Sequence, residues 1–252
     1  MNVDFDALHR DGFVVLGGVV PEAMCARFET DLEIIGRAGL NHRGRSQREP
    51  DAIADLLRLG GAYRQALFSN LKHLRVVQEM GHHVVSTLET AGVLDWLGYE
   101  ALVAYPTVRA DVPDEDTYLL PMHQDYATPC RRAFRVWATL RPAGATSGSL
   151  LVVPGSHLGG LIAHDTSDPA RPFVPDSAYD SSGTRLLELE AGDGILFDPL
   201  LVHGSVAAKN ARMKYNLLVN LWDLTTLADP DDPEDPIAGR VRMRHVRDTV
   251  RG

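Results

Sequence analysis

The spacing of apolar residues divides the chain into a helical front and a β-rich back. Residues 12–18, GFVVLGG, are a short apolar run bounded by glycines and predict a strand. PEAMCARFETDLEIIGRAG (21–39) opens on a proline suited to a first helical turn and repeats apolar side chains every three or four positions, which predicts a helix. DAIADLLRLGGAYRQALFSN (51–70) and HLRVVQEMGHHVVSTLETAG (73–92) read the same way. Between the first two, LNHRGRSQREPD is polar, basic and loop-like.

From about residue 100 the period changes. ALVAYPTVRADV, AFRVWATLRP, GSLLVVPGS, RLLELEAGD, GILFDP and KYNLLVNLWD are short, rich in β-branched and aromatic residues, and punctuated by Gly, Pro and Asp. Such runs predict an antiparallel sandwich or barrel. The expected fold is mainly β with flanking helices. No internal repeat or linker interrupts it, so residues 1–252 read as one domain. LTTLADPDDPEDPIAG, after residue 223, is acidic and proline-rich and predicts a surface segment.

Composition narrows the function classes. The net charge of −9 leaves no basic surplus to meet phosphates, which argues against a nucleic-acid binder. The longest apolar stretches are too short to span a bilayer, and the first residues lack the basic start and apolar core of a signal peptide. A cytoplasmic protein acting on a small molecule is expected. Cys25 and Cys130 suggest neither a disulfide framework nor a thiolate zinc site and read as packing residues.

Candidate chemistry begins at LLPMHQDYATPC, where His123 and Asp125 stand two positions apart and so on one side of an extended chain. Ten histidines among thirty-four acids give roughly one such triplet by chance, and His9 with Asp11 is a second, read as a surface pair near the terminus. The difference is company. EAGDGILFDPLLVHGS sets His203 in the β-rich half, and two imidazoles with one carboxylate are what a facial triad needs to hold a divalent iron with three positions open. Arg212, nine positions on, offers a guanidinium fork for the far carboxylate of a chelating dicarboxylate; without the triad it would read as a surface arginine.

HQD, VWATL, SGSLLVVPGSH and GDGILFDPLLVHGS with a following arginine together resemble the phytanoyl-CoA dioxygenase family, and DGFVVLGGVVP is similar to that family's opening. The resemblance implies a double-stranded β-helix (jelly roll, cupin-like) with a helical N-terminal half packed on it. It implies a non-haem Fe(II)- and 2-oxoglutarate-dependent dioxygenase that uses dioxygen, releases succinate and CO2, and hydroxylates or otherwise oxidises an unactivated C–H bond. It makes His123, Asp125 and His203 the iron ligands and Arg212 the partner of the far 2-oxoglutarate carboxylate. Ser205 then donates a hydrogen bond to that carboxylate, Trp137 lines the co-substrate pocket, and Tyr105 is a further pocket residue. His157 of PGSH belongs to a structural turn. Relatives that halogenate lack the carboxylate, so Asp125 argues for oxygenation.

The prime substrate is expected to be a small metabolite or natural-product intermediate. If Arg212 points into the barrel, alternation puts Lys214, Asn216, Leu218 and Asn220 on the same face, with Tyr215, Leu217 and Val219 opposite. Asn216 then touches substrate, and the loops carrying Arg43 and Arg45 (beside His42) and Arg131 and Arg132 form the mouth, or are simply solvated. His82 and His83, neighbours on a helix, face different ways and cannot chelate together. Two other readings stand beside the oxygenase: a jelly-roll metal-binding or sensor protein without turnover, and a cupin-like metal-dependent hydrolase or isomerase. Neither needs a cationic pocket beyond the distal histidine.

Overall fold

The structure, a computed structural model, describes residues 1–115, 119–125, 128–168, 171–210 and 212–229. Six helices, α1 (Phe5–Asp11), α2 (Glu22–His42), α3 (Ala52–Leu57), α4 (Gly61–Leu71), α5 (Arg75–Thr90) and α6 (Val93–Trp96), precede most of the sheet. The strands are β1 (Phe13–Leu16), β2 (Leu102–Asp111), β3 (Ala133–Thr139), β4 (Ser147–Val152), β5 (Arg185–Leu186), β6 (Gly194–Phe197), β7 (His203–Ala208) and β8 (Lys214–Asp223). A five-stranded antiparallel sheet runs β1-β6-β3-β8-β2, and a three-stranded one runs β5-β4-β7. Among the described residues no helix is long and apolar enough to cross a membrane. Most of the acidic segment after residue 223 lies outside the described residues.

Alternation along β8 organises the layers. Tyr215, Leu217, Val219 and Leu221 are buried in one apolar cluster with Phe28 and Leu32 of α2 and Val76, Val77, Met80 and Val84 of α5. Phe28 meets Tyr215 edge-on at 5.6 Å. The opposite face carries Trp137, Ile195 and Phe197, which pack against Leu150 and Val152 of the small sheet. Each fully buried side chain of this size contributes about 1.5–3 kcal/mol, so a helical layer and a small sheet hold the large sheet from both sides. Both cysteines are buried and free.

Residues 51–70 form two helices rather than the single one their apolar period predicts. Gly60 and Gly61 both adopt positive φ (67° and 56°), a conformation that breaks an α-helix and that glycine tolerates. Gly36 serves a different need. A Cβ there would lie 2.5 Å from the Ile53 backbone nitrogen, so α2 and α3 cross backbone to backbone.

Between these helices and the sheet lies a closed charge cluster. Asp51 is 5% exposed and accepts from both terminal nitrogens of Arg141 (3.1 and 2.8 Å), from Arg212 Nε (3.3 Å) and from the Met213 amide (2.8 Å). Burial alone would raise its carboxyl pKa, but these donors more than offset that and hold it below 3.8. Replacing Asp51 with Ala is expected to cost about 3 kcal/mol in urea unfolding, because Arg141 loses its buried partner. Folding lowers this pKa, so the stabilisation should be full above pH of about 4 and fade as the pH falls through the folded value, which acid titration of wild type and variant will read.

Candidate metal centre

Two distant segments meet through a reciprocal backbone pair. The His123 amide donates to the His203 carbonyl at 2.8 Å, and the His203 amide donates to the His123 carbonyl at 2.9 Å. This extends the small sheet by one short rung and sets the two imidazoles side by side, ring centroids 4.3 Å apart. Gly204 makes the approach possible, since a Cβ there would fall 3.1 Å from the Met122 backbone nitrogen. Two residues past His123, the Asp125 amide donates to the Pro199 carbonyl at 2.7 Å, which turns the carboxylate toward both rings.

Each histidine is fixed from behind. Nδ1 of His123 lies 2.7 Å from the Pro121 carbonyl, and Nδ1 of His203 lies 3.0 Å from the Leu201 carbonyl. A carbonyl accepts, so Nδ1 carries the proton and Nε2 presents its lone pair. Both Nε2 atoms face Asp125, at 3.6 Å from Oδ1 for His123 and 3.7 Å from Oδ2 for His203. Burial, with His123 adjacent, pushes His203 down to about 4, so it is neutral at pH 7. Burial would raise the Asp125 carboxyl, but the Arg135 charge and the contact with His123 outweigh it and keep it ionised. The three ligand atoms lie within 4.8 Å of one another and could hold a metal ion.

A cavity of about 210 Å3 opens from this group. Strand register orders the residues of the sheet face on which it opens. Asp111 opposes Lys214; next come Arg109, Asn216 and Thr139; then Thr107, Leu218 and Trp137; then Tyr105, Asn220 and Arg135. Lys214 is 3% exposed, with Nζ 3.4 Å from the Ser149 carbonyl, 3.7 Å from Asp111 Oδ2 and 5.7 Å from the Trp137 ring centroid. Arg109 Nε donates to Asp111 Oδ1 at 2.5 Å. One acid thus sits between two cations at the end of the cavity wall.

Of the residues singled out in sequence, His123, Asp125, His203, Ser205, Trp137 and Asn216 all line this cavity. Arg212 does not. It is exposed, and its guanidinium turns to Asp51 and, at 3.8 Å, to Glu29. Alternation gives it the parity of Lys214, but β8 begins only at Lys214, and the chain bends at Met213 to donate its amide to Asp51. Tyr105 packs edge-on against Trp222, 4.9 Å between centroids, and is not among the residues lining the cavity.

The loop arginines also lie elsewhere. Arg43 donates to the Gly39 carbonyl and covers the Tyr63 ring, and Arg45 lines a separate cleft with Arg48 and Arg58. Arg132 pairs with Asp223 and lines another cleft with Arg131. His157 packs under Gly12, with Nε2 3.1 Å from the His9 carbonyl, away from the triad. The cavity residues that sequence reasoning missed as functional are Lys214, Arg109 and Thr107; extending the β8 and β2 alternation names all three.

Two imidazoles and one carboxylate inside an antiparallel β core are a donor set that could hold a metal ion from one side. The family profile described as phytanoyl-CoA dioxygenase (PhyH) matches residues 8–215, and the chain belongs to that family. It is 25% identical over 207 residues to the peroxisomal phytanoyl-CoA dioxygenase of Rattus norvegicus, covering 78% of this chain and 60% of that one. The chain thus spans about three fifths of the length of that relative. In fold it is similar to EvdO2 of Micromonospora carbonacea var. aurantiaca complexed with 2-oxoglutarate, at TM-score 0.60 and 19% identity over 93% of this chain and 94% of that one. It is also similar to the epimerase SnoN in complex with Fe3+, alpha-ketoglutarate and nogalamycin RO, at TM-score 0.51 and 19% identity over 87% and 82% of the two chains.

Alanine at His123, Asp125 or His203 is expected to weaken Co(II) binding by more than the ~10–100-fold that loss of a supporting hydrogen bond costs a metal site. Thermal unfolding should stay near wild type, since none of the three anchors an apolar cluster. Isothermal titration with melting curves checks both, and undiminished Co(II) affinity in the His203 variant would remove the histidine from the ligand set.

Proposed function

We propose that the protein is a non-haem Fe(II)- and 2-oxoglutarate-dependent oxygenase on a jelly-roll core. It oxidises, most simply by hydroxylation, a C–H bond of a small metabolite or natural-product intermediate. The observation that carries this reading is the buried cation Lys214 lining the same narrow cavity as the two histidines and Asp125. A hydrolytic metal site or a metal sensor has no use for a desolvated ammonium there, whereas a dicarboxylate co-substrate needs one.

The donor set fits iron: two imidazole nitrogens whose tautomers are fixed by backbone carbonyls, and one ionised carboxylate. When bound, iron with 2-oxoglutarate and dioxygen supplies the oxidising power, releasing succinate and CO2. The chain's own residues bind and orient. Lys214 meets the far carboxylate in the place expected of Arg212, with the Ser205 hydroxyl as a second donor and the Trp137 ring as a wall. Asp111 holds Arg109 and Lys214 near one another before the co-substrate arrives. Leu150, Phe197 and Leu218 keep the cavity dry, which strengthens each of these charge interactions. The Asn216 Oδ1 is buried without a hydrogen-bond partner and is the polar group still available to a ligand.

Two experiments test the reading. Lys214→Ala is expected to raise the 2-oxoglutarate requirement about 100-fold, the order of losing a buried charge-assisted pair worth roughly 3 kcal/mol. Arg212→Ala should leave that requirement nearly unchanged. Succinate release followed against 2-oxoglutarate concentration separates the two, and the reverse ranking would return the anchor to Arg212. Burial pushes the Lys214 ammonium down to about 8, with Asp111 opposing the shift. The charged form binds the co-substrate, so affinity should be full below pH 8 and fall by up to about tenfold per pH unit above it. Anaerobic 2-oxoglutarate titrations from pH 6.5 to 9.5 read this slope directly.

A further inference from the structure

Arg135 is the charged side chain at this centre that co-substrate binding does not use. It sits on β3, the middle strand of the large sheet, opposite Phe197 on one side and Asn220 on the other. Its side chain is 11% exposed, and Nε stands 3.2 Å from Oδ2 of Asp125. The contact lacks the alignment of a hydrogen bond and is an ion pair by distance and charge. Oδ2 is thereby shared between Arg135 and His203, while Oδ1 faces His123.

We propose that Arg135 is a positioning residue that keeps Asp125 a one-oxygen ligand by retaining Oδ2, so that only Oδ1 is free for the ion. This rests on the metal-site reading above. The coordination count gives it a purpose. Two histidines and one carboxylate oxygen take three of six positions, a chelating 2-oxo acid takes two, and one remains. A carboxylate binding through both oxygens would fill that last position. A guanidinium 3.2 Å from Oδ2 opposes this by attraction to the oxygen. It also repels the incoming dication, so the site trades metal affinity for an open position.

The consequence runs opposite to what a merely structural residue would give. Arg135→Leu, and Arg135→Gln as the variant that keeps a polar side chain should Leu not fold, are expected to bind Co(II) at least about tenfold more tightly than wild type, because a like charge at this range is gone. Arg135→Lys keeps the charge and should stay within about threefold of wild type. Nitric oxide, probing the open position of the anaerobic Fe(II)–2-oxoglutarate protein by electron paramagnetic resonance, should bind the neutral variants at least about tenfold more weakly, because the released second carboxylate oxygen then competes for that position. Tighter metal with weaker nitric oxide supports the proposal. Unchanged or weaker Co(II) affinity overturns it, as does tighter metal with undiminished nitric oxide binding. Failure of the wild-type protein to bind Co(II) at all would instead sink the metal-site reading beneath it.

Discussion

The reciprocal pair of backbone hydrogen bonds between His123 and His203 is the constraint on which the centre depends. It joins a loop segment to β7 across eighty positions of sequence, and it does so through main-chain atoms, so no side chain is spent on the joining. Both imidazoles stay free to turn Nε2 toward a common point. The carbonyls of Pro121 and Leu201, each two residues before its histidine, then set the tautomers. The geometry of the candidate ligands is therefore written into the β ladder itself, and a packed scaffold holds it.

The large sheet separates core from chemistry. Along β8 the odd positions Tyr215, Leu217, Val219 and Leu221 are buried against the helices, while Lys214, Asn216 and Leu218 line the cavity. Both rows are buried, so β8 is a central strand with two different solvents, apolar packing on one face and a charged, partly enclosed cavity on the other. Each acid on the second face is paired with a cation, and Asp111 with two. Asp111 answers Arg109 and Lys214 at one end, and Asp125 answers Arg135 at the other.

Much of this was legible in sequence where the chemistry demands particular residue types. An H-x-D with a distant histidine in the β-rich half pointed to three residues that the structure brings together, and the alternation of KYNLLVNLWD fixes which residues share a face. Legibility failed where position depends on the third dimension. Arg212 has the parity of the cavity row, yet parity holds only within a strand, and Asp51, 161 residues away in sequence, pulls the guanidinium outward. The arginines at 43, 45, 131 and 132 were basic residues in polar loops, but Arg43 covers an aromatic ring and Arg132 pairs with an acid, partners that composition does not reveal. Gly60 and Gly61 sit inside an apolar period that continues across them, so the break between α3 and α4 was masked. The strand β7, HGSVAA, is too small-residued to announce itself.

A lysine in the anchoring position has consequences that an arginine would not. A guanidinium stays charged at any working pH, whereas a buried ammonium titrates within reach of neutrality. An ammonium also has three donors and no plane. The Ser149 carbonyl and Asp111 stand near Nζ at 3.4 and 3.7 Å, which leaves one N–H direction for a ligand. A carboxylate held by one point charge is less strictly oriented than one held by a fork, so the remaining orientation must come from Ser205 and the flat wall of Trp137. Arg109 supplies the missing plane only by loosening its hold on Asp111, and that exchange would couple arrival of the co-substrate to the freeing of an acid beside it. On the proposed reading, recognition of the far carboxylate would be distributed over residues of four strands, β2, β3, β7 and β8, rather than vested in one side chain.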